Sequence, residues 1–256
     1  MHKKMIMANF SKSAGTYDDH ARVQKICASL LLEICPRDGI SRVLEIGCGT
    51  GIYTELLAEK YPTAKIVSVD ISEEMVNAAR AKGLGANVDI FSADAECLDM
   101  GMGYDLVTSN ASLQWINGLD GFFSSVAGAL SPGGSLCFSI YGPETFWEMQ
   151  SVLEEVFGER ALIEAARFKC LTDIERSMSG LFSRVEIVEQ RCGVDFPDMV
   201  SFMRDVRLSG TRGEGLLKKV FFGREKLKAI EDAYIKKCGR IIATHQVFLV
   251  TGRKRE

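Results

Sequence analysis

The stretch Val43-Leu44-Glu45-Ile46-Gly47-Cys48-Gly49-Thr50-Gly51 decides how the rest of the chain is read. Residues typical of a buried strand run straight into three glycines at alternate positions, and a helical pattern follows from Tyr53. Glycine at such a strand-to-helix turn lets the backbone bend sharply and pass close to a ligand with no Cβ in the way. The last glycine of a G-x-G-x-x-G dinucleotide fingerprint would stand at Ile52, so the spacing disfavours NAD. Glu45, two residues before the first glycine, would repel a pyrophosphate and welcome an ammonium group. The turn therefore predicts a cationic ligand rather than a phosphorylated one.

Outward from this turn, short β-branched or aromatic runs alternate with helical periodicity. Val43–Ile46, Ile66–Val69, Val88–Phe91, Leu106–Thr108 and Leu136–Ile140 read as strands; Tyr53–Lys60, Glu73–Lys82 and Leu119–Leu130 read as helices. Such a βαβα series predicts a parallel sheet covered on both faces. Ser72 can cap the second helix, with Glu73 and Glu74 in its dipole-favoured first turn. Ser131-Pro132-Gly133-Gly134 reads as a turn into the fifth strand. A helix over Ala21–Ile34 precedes the series. Two later strands, Val185–Arg191 and Ile241–Thr251, flank a helix-rich, charged excursion of the kind that forms a substrate cap.

Composition sets the bounds. The 256 residues predict one domain with an insertion, and 46% hydrophobic with 25% charged residues predict a folded core. A formal charge of -3 argues against a surface built to grip nucleic acid. No apolar run reaches the roughly 18 residues that span a bilayer, and Met1 to Phe10 has no apolar segment behind its lysines. A soluble, cytoplasmic, monomeric protein is expected. The eight cysteines stand singly and outside any C-x-x-C pair, so buried reduced thiols are expected, with neither a metal site nor a disulfide framework.

The strand ends carry an ordered set of polar groups. Asp70 in Ser68-Val69-Asp70-Ile71 is placed to accept from two ribose hydroxyls, and Asp94 in Ser92-Ala93-Asp94-Ala95-Glu96 can accept from an adenine amino group. The fourth strand ends in Ser109-Asn110-Ala111. Together with the glycine turn, this set resembles the class I methyltransferase pattern over Arg42–Tyr141. The resemblance implies a Rossmann-like α/β fold, a seven-stranded and mostly parallel sheet with an antiparallel last strand and a helical cap insertion. It also implies S-adenosyl-L-methionine as methyl donor and S-adenosyl-L-homocysteine as product. The expected cofactor residues are Glu45, Gly47, Cys48, Gly49, Gly51, Asp70, Ile71, Met75, Asp94, Ala95, Asn110 and Trp115.

The flanking segments are more specific. Asn9-Phe10-Ser11, Ala14-Gly15-Thr16-Tyr17-Asp18-Asp19-His20-Ala21, Ser109 to Trp115, Phe138 to Phe146 and His245-Gln246-Val247-Phe248-Leu249 resemble the malonyl-acyl-carrier-protein methyltransferases of biotin synthesis. The likeness runs nearly end to end and is loosest between Phe196 and Ala243. It implies methylation of the free carboxylate of a malonyl group held by thioester on an acyl carrier protein. A carboxylate is already ionised near neutral pH and needs no catalytic base. Its ester would pass an apolar acyl pocket that rejects the charged acid.

Residues 1–38 are expected to form an N-terminal lid, 42–141 the cofactor core and 196–240 the cap, all within a single domain. Met199–Arg240 holds eleven Lys and Arg against five acids, a local +6 on a body of about -9, which would steer an acidic carrier protein to the site. In the family's insertion a basic residue precedes a small-residue turn, and Arg207 in Arg204-Asp205-Val206-Arg207-Leu208-Ser209-Gly210 is the candidate carboxylate reader. Tyr17 would fold over the cofactor as part of the lid, and Trp115 and Tyr141 would wall the acyl channel. His20 and His245 read as structural. Other readings remain open from the residues: methylation of another small acid or a quinone precursor, or a non-catalytic binding subunit. Nucleic-acid methylation would call for an Asn-Pro-Pro-Tyr-like motif, and the chain has none.

Overall fold

The structure is a computed structural model that describes residues 2–158, 163–211 and 223–255. Seven strands form one sheet: β1 (Arg42–Ile46), β2 (Lys65–Asp70), β3 (Val88–Ser92), β4 (Tyr104–Asn110), β5 (Leu130–Tyr141), β6 (Phe182–Phe196) and β7 (Ile241–Lys254), in the order β3-β2-β1-β4-β5-β7-β6. The first five pair in parallel. β7 runs antiparallel between β5 and β6, so the expected antiparallel last strand is the last in sequence and not at the edge. The order reverses between β1 and β4, which puts the switch point of an open α/β sheet beside the glycine turn.

The helices are α1 (His2–Ser13), α2 (Tyr17–His20), α3 (Arg22–Ile34), α4 (Ile52–Lys60), α5 (Glu73–Ala81), α6 (Leu119–Ala129), α7 (Trp147–Phe157), α8 (Leu171–Met178), α9 (Met199–Leu208) and α10 (Arg224–Cys238). Ser72 caps α5 as expected, its hydroxyl accepting from Met75 N at 3.2 Å. The Ser131–Gly134 turn lies inside β5: pairing jumps from Tyr104–Leu130 to Leu106–Ser135, and the intervening residues bulge with Gly133 at φ +71°. β6 outruns the expected strand at both ends. Its long pairing with β7 carries it as an edge strand with many exposed polar side chains.

Three apolar clusters hold the layers. Val23, Cys27 and Leu31 of α3 join Tyr53 and Leu57 of α4 on one face of the sheet; Phe122, Phe123 and Val126 of α6 join Ile174 and Met178 of α8 within the main core cluster. The third cluster belongs to the cap, where α9 (Phe202, Val206) and α10 (Ile230, Tyr234) pack on Met149 and Val152 of α7. The cap's packing unit thus reaches beyond 196–240 to include α7. Among the cysteines only Cys27, Cys35, Cys48 and Cys137 are buried; Cys97 is exposed and the other three are half-buried, which corrects the expectation of eight buried thiols. Among the described residues no helix is long and apolar enough to cross a membrane.

Gly51 heads α4 at φ +86°, and a Cβ there would lie 3.1 Å from the Ala79 Cβ on α5. Both the dihedral and the close approach of α4 to α5 exclude other residues. Gly51→Ala is therefore expected to lower the unfolding free energy by on the order of 2 kcal/mol. Urea denaturation checks this, and a loss of a few tenths or less would show that the contact yields.

Candidate functional site

β1 ends beneath the glycine turn because two successive amides, Gly47 N and Cys48 N, donate to the Val69 carbonyl at 2.7 and 3.0 Å. Gly47 takes φ +74°, and a Cβ on it would stand 2.0 Å from Ser112 Oγ, so no other residue lets the turn pass the loop after β4. Asp70 at the end of β2 completes the turn: its Oδ2 accepts from Gly49 N and its Oδ1 from Ser72 N, both at 2.9 Å. Burial raises its carboxyl above the ordinary value despite those bonds.

Over these strand ends lies a partly enclosed cleft. It brings together Gly47, Gly49, Asp70, Ile71, Met75, Asp94, Ala95, Asn110, Trp115 and Tyr17, all named from the sequence. Its acceptors sit at the ends of β2 and β3, with apolar Ile71, Met75 and Ala95 between them. Such a set suits a ligand with vicinal hydroxyls, a flat apolar ring and an exocyclic amine. Asn110 is locked by bonds to the Gln24 carbonyl and from Ser139 Oγ, and the next residue, Ala111, holds a left-handed φ of +49°. A non-glycine residue in that region is strained, and the strain sits on the cleft wall.

Three expected residues stand behind the cleft. Gly51 serves the helix contact above. Cys48 is buried, its thiol turned to the Gly49 carbonyl. Glu45 is only 1% exposed and accepts from Ser68 and Thr54 hydroxyls at 2.6 and 2.7 Å through Oε2, while Oε1 has no partner among the described residues. Burial pushes its carboxyl up to about 7, aided by the nearby Asp70 charge. Glu45 is therefore placed to support the turn from below and not to touch a ligand directly.

From the expected lid over residues 1–38 the sequence named Tyr17 for the cleft and not the residues of α1. Lys3, Ile6 and Phe10 of α1 close the cleft, and Lys3 Nζ lies 2.8 Å from both Asp94 oxygens while also pairing with Glu96. Burial pushes the Asp94 and Glu96 carboxyls up, but the Lys3 bonds outweigh it and hold both below the ordinary range. Phe10 packs edge-on to Tyr17 at 6.3 Å and to Trp115 at 6.0 Å. Tyr17 remains a phenol, since burial, with Asp70 close by, raises it well above its ordinary value.

Tyr141 and Arg207 lie elsewhere. Tyr141 borders a second, narrow cavity, which shares Trp115 as a wall with the cleft. Arg207 borders neither cavity. On α9 the positions Phe202 and Val206 face the cap core, which turns Val200, Arg204 and Arg207 to solvent. Of the expected basic surface, Arg204, Arg207, Lys226, Lys228, Lys236, Lys237 and Arg240 are exposed; Arg212, Lys218, Lys219 and the Arg224 side chain fall outside the described residues.

Comparison with known proteins gives this geometry a family. A profile described as a methyltransferase domain matches residues 43–134. The malonyl-[acyl-carrier protein] O-methyltransferase 2 of Ilyobacter polytropus is 30% identical over 257 residues, covering 98% of each chain. The enzyme of the same description from Acetivibrio thermocellus is 30% identical over 278 residues, 99% of this chain and 94% of its own. The chain belongs to the malonyl-[acyl-carrier protein] O-methyltransferase family. The fold is shared more widely. Phosphoethanolamine N-methyltransferase 2 of Haemonchus contortus, solved with S-adenosylhomocysteine, superposes with a TM-score of 0.56 at 20% identity over 89% of this chain and 52% of that one. Geranyl diphosphate C-methyltransferase of Streptomyces coelicolor, also with S-adenosyl-L-homocysteine, gives 0.54 at 14% over 92% and 80%.

For this family member Glu45 has a measurable signature. Its folded carboxyl titrates near 7 against 4.5 when free, so the folded state binds more protons between those values. Its contribution to stability is full below pH 4.5 and is lost as pH rises to about 7. Glu45→Gln is expected to remove on the order of 3 kcal/mol of that decline. Denaturant titrations from pH 4.5 to 8 test it, and an unchanged slope would place the source elsewhere.

Proposed function

We propose that the protein transfers a methyl group from S-adenosyl-L-methionine to the free carboxylate of a malonyl thioester on an acyl carrier protein. The end-to-end identity with relatives described by that activity carries the reading. The resemblance puts the reaction at the start of pimeloyl formation in biotin synthesis.

The cleft residues fit the donor. Asp70 keeps acceptor capacity for two ribose hydroxyls, Ile71, Met75 and Ala95 offer apolar surface to adenine, and Asp94 can accept from its amine. The glycine turn admits the amino-acid end without a Cβ, above the Glu45 carboxyl. When bound there, S-adenosyl-L-methionine supplies an electrophilic methyl on sulfonium, which exchanges its bond to sulfur for one to a carboxylate oxygen, the S–C electron pair staying on sulfur. No proton moves, so no side chain need act as base. Tyr17, Phe10 and Trp115 exclude water and align the acyl end. Residues 1–38 act as the lid and 42–141 as the donor-binding core.

The cap meets the carrier protein. Arg207 is exposed at the end of α9, so its role in this reading is attraction of an acidic carrier rather than contact with the carboxylate. The protein works as a cytoplasmic monomer and binds neither nucleic acid nor membrane.

The direct test supplies methyl-labelled S-adenosyl-L-methionine with malonyl-carrier protein, malonyl-coenzyme A or malonate in parallel. Label in a base-labile ester of the malonyl thioester is expected; label only on an amine or ring carbon would refute the reading. Two variants separate the roles. Asp70→Ala weakens donor binding by roughly 10- to 100-fold in calorimetry, as loss of hydrogen bonds to a charged group predicts. Arg207→Ala leaves donor binding intact and raises KM for the carrier-linked substrate several-fold, with little change for malonyl-coenzyme A. An equal rise for both would return Arg207 to the role of carboxylate reader.

A further inference from the structure

The second cavity has a feature that packing alone does not explain. Trp115 Nε1, Tyr141 Oη and His245 Nδ1 are buried with no hydrogen-bond partner among the described residues, and all three residues border this one space. Each such orphan costs about 1–3 kcal/mol, and folded proteins leave few of them. Three around a single cavity mark a polar space able to pair with a water or with a polar group of a substrate.

The chain places them there from distant positions. Trp115 lies on a short 3-10 turn after β4, Tyr141 ends β5, and His245 is in the antiparallel strand paired beside it. The His245 ring lies 5.4 Å from Tyr141 and 4.6 Å from Phe146 between centroids. Phe146 reaches this position at a left-handed φ of +61°, held by its amide to the Thr244 carbonyl at 2.7 Å. Phe168, edge-on to Trp115 at 5.4 Å, supplies apolar wall. Glu164 also borders the space and has a partner of its own.

The protonation states fit an anionic guest. Burial lowers His245 to about 4, so its ring is neutral near pH 7 with its one N–H toward the backbone at Cys192 and Ala243, and burial raises Tyr141 far above its ordinary value, so it stays a donor. Indole N–H can only donate.

We propose that this cavity receives the free carboxylate of the acyl substrate, held by hydrogen bonds from Trp115 Nε1 and Tyr141 Oη, with the neutral His245 ring beside it as wall. The proposal rests on the malonyl reading above and assigns the anchor for the acid. Neutral donors fix the carboxylate without neutralising it, so one oxygen stays nucleophilic. A guanidinium fork would engage both oxygens and draw that charge away. Trp115, common to cleft and cavity, sets the anion beside the donor site.

The test is equilibrium binding to the full chain, saturated with S-adenosyl-L-homocysteine, of malonyl-pantetheine thioester and of butyryl-pantetheine thioester, which lacks the acid. Tyr141→Phe is expected to weaken malonyl binding about 10- to 100-fold, the worth of a hydrogen bond to a charged group. Butyryl and S-adenosyl-L-homocysteine affinities should stay within about twofold, a split that general loss of packing would not give. Trp115→Phe should likewise lower malonyl binding more than butyryl binding, and this ratio alone is read because Trp115 also walls the donor cleft; it serves if the first variant folds poorly. Retained preference for malonyl over butyryl in both variants, or equal loss of both thioesters, would overturn the anchor while wild-type methyl transfer to malonyl thioesters leaves the function standing. Absence of that transfer in the wild type would overturn the function and the anchor with it.

Discussion

The site hangs on Asp70 holding two main-chain amides at once. One carboxylate ties Gly49 of the turn after β1 to Ser72, the N-cap of α5, so two strand-to-helix connections share a single acceptor group. Neither amide could find another partner at that corner of the sheet without water, and an unpaired buried amide is costly. The two Gly47–Val69 and Cys48–Val69 bonds do the same from the strand side. The cleft is thus a rigid floor whose acceptors are already oriented, and a ligand's hydroxyls would meet lone pairs that need no reorganisation.

The roof has the opposite character. α1 and α2 are tied to the floor by side-chain contacts: Asp18 to Thr50 and Lys82, Lys3 to Asp94 and Glu96. The same short segment is tied to the cap through Thr16 donating to the Leu208 carbonyl at 2.9 Å, Ser13 to the Arg207 carbonyl at 3.3 Å, and His20 with Asp205 at 2.7 Å. Gly210 allows this seam, since a Cβ there would meet the Phe10 ring at 2.9 Å. Most of these contacts are polar and partly exposed, worth little individually, so the apolar packing of Ile6 and Phe10 carries more of the roof's hold on the floor. Because Lys3 covers Asp94 in this arrangement, the adenine amine of the proposed donor would compete with an ammonium already in place.

The parts of the fold that sequence made legible are those where one local rule suffices. Alternating strand and helix periods fixed β1 to β5, and the strand-end acids named most of the cleft lining. α1 was not legible because its buried residues Ile6, Asn9 and Ser13 mix apolar and polar types, so the helical period carries little hydrophobic contrast. Gly51 was assigned to the ligand because its spacing copies that of Gly47 and Gly49; only the approach of Ala79 shows that it serves the helices. Arg207 looked like a reader of anions from its neighbours in the chain, yet Phe202 and Val206 own the inner face of α9. His245 sits in an apolar strand and gains meaning only from Trp115 and Tyr141, residues 130 and 104 positions away in the sequence.

The physics of the proposed reaction explains why such a site would be lined by neutral groups. A carboxylate and a sulfonium become an ester and a thioether, so charge disappears along the path. A medium that solvates ions well stabilises the start more than the transition state, whereas an enclosed apolar wall does the reverse. Burying the anion alone would be prohibitive. Its cost is offset by the adjacent cation and by fixed donors that, being uncharged, do not hold the anion back as strongly as an arginine would. Phe10, Trp115 and Phe168, stacked edge to face across the boundary between cleft and cavity, would keep water from that ion pair. The Lys and Arg of the cap stay outside on the solvent-facing sides of α9 and α10, where they can attract a negatively charged partner without entering the chemistry.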